Sequence, residues 1–174
     1  MSGISMKDAK SFLYDIQKNL DPSKLAHGSS SLAQDRKNVL DLKIVVLVDI
    51  SGSISQRQFQ QFMRQIDAIR GLSMVKVIET DTKVVAMYDY FKERKNRVIR
   101  LQGGGGTEFI PAFRAAKQIC PHAILCLTDG AIFDRVPDPG IPTGWILTHG
   151  GQKPPFGFGK VVVELPPPHK SDED

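Results

Sequence analysis

Two carboxylates and three hydroxyls fall where strands should end. Asp49-Ile-Ser51-Gly-Ser53 follows an apolar run, Thr107 follows four glycines, and Asp129-Gly130 follows a second apolar run. All five side chains are hard oxygen donors, and oxygen-only sets suit Mg²⁺, Mn²⁺ or Ca²⁺ better than zinc or copper. Asp49 is the one charged residue from Ile44 to Ile50. A carboxylate at the edge of a core is costly unless it is paired, hydrogen-bonded or on a cation. Ser51 and Ser53 stand at alternate positions, so in an extended turn both hydroxyls can face the same way as Asp49, while Gly52 permits a sharp bend. Taken alone, this segment reads equally well as a helix-capping turn. The glycine run Gly103–Gly106 tips the balance, because so much unfolded-state freedom is a poor choice for a mere connector. It lets the backbone approach an ion closely and bring Thr107 from a second direction. No Gly-Lys-Ser/Thr ends it, so it is not a Walker A loop.

The elements that must position these groups are legible from periodicity. Residues 6–20 carry Phe12, Leu13, Ile16 and Leu20 on one helical face, with Ser5 and Asp8 as a capping-box-like start. Residues 22–41 read as a loose connection. Lys43 to Val48 reads as a strand buried on both faces. A helix follows, capped by Ser55 with Gln58 three residues on, presenting Phe59, Phe62, Met63, Ile66 and Ile69 and closed by Gly71. Met74–Ile78 and Lys83–Tyr88 form an expected antiparallel pair around a turn at 80–82, the second strand at a sheet edge. Val98–Leu101 is a short extended piece, and a helix is expected over 109–119, with Pro111 tolerated in its first turn. Ala123–Thr128, Gly144–Thr148 and Val161–Leu165 read as three more strands, with Trp145 in the core of the second. This alternation predicts an α/β fold: a mostly parallel sheet with one antiparallel edge strand and helices on both faces. Residues 130–142 and 149–159 are too rich in Pro and Gly for crossover helices, so the C-terminal third has reduced helix content. The organisation expected is 1–41 for the helix and its connection, 42–165 for the domain, and 166–174 for a disordered acidic tail.

Bulk properties bound the function. With 174 residues, 41% hydrophobic and 24% charged, the chain suffices for one globular domain with a real core. Its net charge of +4 is mild. The basic run at 92–97, with Arg100 beyond, reads as a solvated loop rather than a nucleic-acid surface, since no aromatics alternate with the charges. No apolar run reaches membrane-spanning length, and the N-terminus has no secretory signal, so a cytoplasmic protein is expected. Cys120 and Cys126 read as reduced packing residues.

The three segments resemble the metal-ion-dependent adhesion site of von Willebrand factor type A (VWA) domains. That site combines Asp-x-Ser-x-Ser, a separate threonine and a separate aspartate, matched here by Asp49, Ser51, Ser53, Thr107 and Asp129. The resemblance implies a Rossmann-like VWA domain. Ser51, Ser53 and Thr107 would ligate Mg²⁺ (or Mn²⁺ or Ca²⁺) directly, and the aspartates partly through water, leaving a position for a partner's carboxylate. A closer resemblance is to the VWA-like domain that ends a group of bacterial and phage metallopeptidase-like proteins. It is carried by Asp49–Ser55, Glu79-Thr80-Asp81, Gly104–Phe109, Leu127–Gly130, Trp145–Thr148 and Pro155-Phe156-Gly157, covering about 43–165. No His-Glu-x-x-His occurs, so no protease activity is implied. No helix is expected after the sixth strand, which puts an integrin-like sliding switch in doubt. The helix at 6–20 is the candidate to cover the sheet face left bare.

The function expected is therefore a divalent-metal-dependent protein-binding module. It would capture an acidic residue of a partner and, by resemblance, work with a MoxR-type AAA+ ATPase. An alternative is a metal-dependent phosphohydrolase with Asp49 as nucleophile. Haloacid-dehalogenase-like phosphatases place an acid/base aspartate two residues on, where this chain has Ser51, and serine is no acid at neutral pH. Glu108 and His149 read as solvated loop residues. A second alternative is a structural or virion component with a relic site. The apolar tip Ala131-Ile132-Phe133 and the Phe156-Gly-Phe158 turn are expected to pack beneath a long loop.

Overall fold

The computed structural model describes residues 7–20, 42–69, 73–93 and 105–169. The chain order is α1 (Lys7–Asn19), β1 (Leu42–Asp49), α2 (Gln56–Ala68), β2 (Ser73–Thr80), β3 (Val84–Asp89), α3 (Tyr90–Glu93), α4 (Ile110–Ile119), β4 (Ala123–Thr128), β5 (Thr143–Leu147) and β6 (Lys160–Glu164). Six strands form one sheet in the order β3-β2-β1-β4-β5-β6. All neighbours are parallel except β2 and β3, which pair antiparallel as expected of an edge hairpin.

The apolar run of β1 places it in the middle. Ile44, Val46 and Val48 face one side of the sheet and Val45 and Leu47 the other, and all are fully buried. On the first side lie α1 and α2, through Phe12, Leu13 and Ile16 and through Phe59, Phe62 and Ile66. On the second lies α4, through Phe109, Ala112, Phe113 and Ala116. Beside α4, where no crossover helix exists, an aromatic cluster of Trp145, Phe156 and Phe158 closes the core. Phe156 and Phe158 thus pack beneath their loop as expected, with rings stacked 5.7 Å apart.

Helix α1 covers the sheet face over β5 and β6. A side chain added at Gly144 would meet Phe12, Leu125 and Val162, and Lys160 Nζ lies 5.2 Å from the Phe12 ring centre. The capping box at Ser55 and Gln58 is present in both directions, at 3.2 and 2.8 Å. One short helix, α3, was not anticipated. Its Tyr90 hydroxyl donates to Asp67 Oδ1 at 3.1 Å, tying the end of β3 to α2.

Cys126 is fully buried in β4, and burial pushes its thiol well above the usual range. Cys120 corrects the expectation of packing: it is exposed at the left-handed C-cap of α4, with φ 52°. The connection 22–41, Ser5, Gly71, the extended piece 98–101, most of the basic run, the first two glycines of 103–106 and residues 170–174 of the tail lie outside the described residues. Pro166, at the start of that tail, accepts a hydrogen bond from the Gln61 side chain at 3.0 Å. No helix among the described residues is long and apolar enough to cross a membrane.

Candidate metal centre

Strand order reverses at β1: its chain successor β2 lies on one side and β4 on the other. In open parallel sheets the crevice beyond the carboxyl ends at such a point is where ligands bind. Asp49 is the last residue of β1, and Asp129 directly follows β4. Both carboxylates therefore emerge at the switch point.

Asp49 is fully buried and both its oxygens are engaged. Oδ1 accepts the Ser51 N–H at 2.9 Å, and Oδ2 accepts the Thr128 hydroxyl at 2.6 Å. The Ser51 and Ser53 hydroxyl oxygens lie 3.2 Å apart, the first buried and the second exposed. Asp129, half-buried, accepts the Ala131 N–H at 2.9 Å. Burial raises the Asp49 carboxyl above its ordinary range. Hydrogen bonds from Ser51 and Thr128 oppose the rise, and the nearby Asp129 charge adds to it.

A circuit of hydrogen bonds holds the separate segments together. Ile50 N–H donates to the Thr80 carbonyl at 2.9 Å, and Glu108 N–H to the Asp81 carbonyl at 2.8 Å. Phe133 N–H donates to the Thr107 carbonyl at 2.9 Å. The Thr128 hydroxyl closes the circuit on Asp49. Thr107 is 1% exposed, sealed into this ring of loops. Asp81 caps the β2–β3 turn by accepting the Thr82 and Lys83 N–H groups. Its carbonyl meanwhile fixes the segment that carries Thr107.

Three further residues position the site without being candidate ligands themselves. Thr128 orients Asp49, and its oxygen also accepts the Gly130 N–H at 3.0 Å. Asp134 caps α4 from outside, accepting the Phe109 and Ile110 N–H groups at 2.9 and 2.6 Å. Gly130, at φ 86°, lies so close to Gln152 that an added Cβ would sit 1.6 Å from that residue's carbonyl oxygen. The 148–152 loop thereby forms one wall of a cleft of about 400 Å³, whose lining includes Gln58, Asp129, Ala131 and His149.

The donor set fits a hard divalent cation. Burial and the Asp129 charge both disfavour the ionised form of Asp49, and a cation would offset both. Among the described residues no cluster of three or more His, Cys, Asp or Glu side chains forms. A cation held at this edge would therefore have to draw on hydroxyl oxygens beside the two carboxylates.

Residues 44–164 match the family model described as VWA-like domain (DUF2201). The chain belongs to that family. No curated protein matches it. The order of strands in this VWA-like domain brings the ends of β1 and β4, with Asp49 and Asp129, to one sheet edge, and the Phe133–Thr107 hydrogen bond ties the third segment to the loop after β4. The tip Ala131-Ile132-Phe133 corrects an expectation: Ile132 packs against the α4 side, whereas Phe133 is 77% exposed.

Proposed function

We propose that this VWA-like domain is a divalent-metal-dependent protein-binding module. Asp49, Ser51, Ser53, Thr107 and Asp129 would hold Mg²⁺, Mn²⁺ or Ca²⁺. The bound ion would supply positive charge and an exchangeable coordination position for an Asp or Glu side chain of a partner protein. The observation that carries this is Asp49 itself: a fully buried carboxylate, raised in pKa by burial and by Asp129, at the switch point of the sheet. Ser51, Thr128 and the hydrogen-bond circuit hold the donor groups in place, with Ser53 bonded to Ser51 and Asp129 accepting from Ala131.

The phosphohydrolase alternative has less support. Both oxygens of Asp49 are committed to hydrogen bonds, and Ser51 occupies the place an acid/base would need. Binding rather than catalysis is therefore part of the proposal. The proposal extends to a cytoplasmic setting and, by family resemblance, to work beside a MoxR-type AAA+ ATPase.

A thermal melt in EDTA against millimolar Mg²⁺, Mn²⁺ and Ca²⁺ tests it. Binding to the folded state alone raises stability by about 2.7 kcal/mol at a hundredfold excess over Kd. A rise with at least one ion in the wild type, absent from Asp49→Ala, supports the proposal. Equal melting of both proteins in every ion would count against it.

A further inference from the structure

We infer that Phe133 is a second anchor for the same partner, so that the domain recognises an acidic residue together with a nearby apolar one. The inference rests on the ion-dependent capture proposed above and names the chemistry of what is captured: a peptide segment with Asp or Glu and an aliphatic or aromatic side chain at a fixed offset. A lone exposed aromatic is commonplace and would mean little. Phe133 differs in how it is held. Its N–H is bonded to the carbonyl of Thr107, one of the five candidate ligands. Its ring lies against Gly106, where an added Cβ would come 3.2 Å from the ring edge. The remainder of the ring faces solvent, at 77% exposure, the highest among the large hydrophobic residues described.

The loop bearing it is pinned at successive residues. Ala131 N–H donates to Asp129 Oδ1, Ile132 N–H to the Gly130 carbonyl, and the Asp134 carboxylate is clamped on the start of α4. An aromatic ring exposed on a fixed backbone loses little freedom when a partner covers it, which is the character of a binding hot spot. One end of this loop begins at the ligand Asp129 and the other is bonded to the ligand Thr107. A carboxylate that reaches the ion therefore brings its neighbouring residues within range of the ring. The bound ion would select the acid, and Phe133 the apolar neighbour.

The test is selection from a random peptide library displayed on phage, panned on the whole chain in Mg²⁺ or Mn²⁺ and eluted with EDTA. The expected peptides share Asp or Glu and an apolar residue at a constant offset. A synthetic consensus peptide should bind Phe133→Ala about tenfold more weakly, and Phe133→Leu nearly as well as wild type, as for the loss of one well-packed aromatic contact. The metal-induced rise in Tm should be the same in all three proteins, since the ring holds no ligand. Peptides with a constant acid but no apolar preference, or equal binding by Phe133→Ala, would overturn the inference while leaving the ion site standing. So would a metal-induced rise in Tm without any EDTA-eluted peptide. Loss of both the rise and the peptides would remove the ion-dependent capture as well.

Discussion

Asp49 concentrates the chemistry into one residue. Its pKa in the folded chain lies above the ordinary aspartate value of about 3.9 because burial outweighs the hydrogen bonds it accepts. The folded state therefore binds this proton more tightly than the unfolded chain does. In EDTA, the charged carboxylate costs stability above its raised pKa, and the cost is relieved as pH falls from there toward the unfolded value. Asp49→Asn keeps an acceptor for the Ser51 N–H and removes the charge. It should raise the EDTA melting temperature at neutral pH by a few degrees, flatten its rise on mild acidification, and abolish stabilisation by metal. Melts over a pH series with and without EDTA would check all three. The Asp-x-Ser-x-Ser spacing made this residue legible in the sequence. Thr128, its second hydrogen-bond donor, was not, because a threonine at a strand end has many other uses and its partner lies 79 residues away.

The elements act as levers on these residues. Helix α4 lacks a side-chain cap at Phe109, and Asp134 supplies it across 25 residues of sequence. Asp134→Ala should cost about 1 kcal/mol, as for loss of a helix cap. It should also weaken metal binding, because Thr107 lies two residues before that helix end. Urea unfolding and a metal titration would separate the two effects. Gly130→Ala forces a Cβ onto the Gln152 carbonyl at φ 86° and must open the contact between two loops. A loss of about 2 kcal/mol or more is expected, with weaker metal binding through displacement of Asp129. Strands, α2 with its capping box, and α4 were readable from periodicity because burial repeats with the element's own period. Helix α3 is a single short turn and left no such trace. The exposure of Phe133 depends on how the 129–134 loop is tied to Thr107, which no local pattern encodes.

On the scale of the molecule, the sheet separates two tasks. Its carboxyl edge gathers the candidate ligands, while α1 seals the face over β5 and β6, where the C-terminal third provides no crossover helix. Phe12→Ala should cost about 3 kcal/mol from the cavity it leaves. Because α1 lies away from the switch point, the folded protein's metal affinity should not change, as is usual for distant sites. Chemical unfolding and a metal titration on one sample would check both. The α/β class and the antiparallel edge hairpin followed from the alternation of elements; the placement of α1 needed only a bare apolar face to cover.

The most direct measurement is a Mn²⁺ titration of the metal-free chain, with free Mn²⁺ counted by electron paramagnetic resonance. A single saturable site per chain is expected in the wild type. It should be absent from Asp49→Ala and weakened in Ser51→Ala and Thr107→Ala. Saturable binding of equal affinity in wild type and Asp49→Ala, or no saturable binding in the wild type, would contradict a metal centre at the switch point.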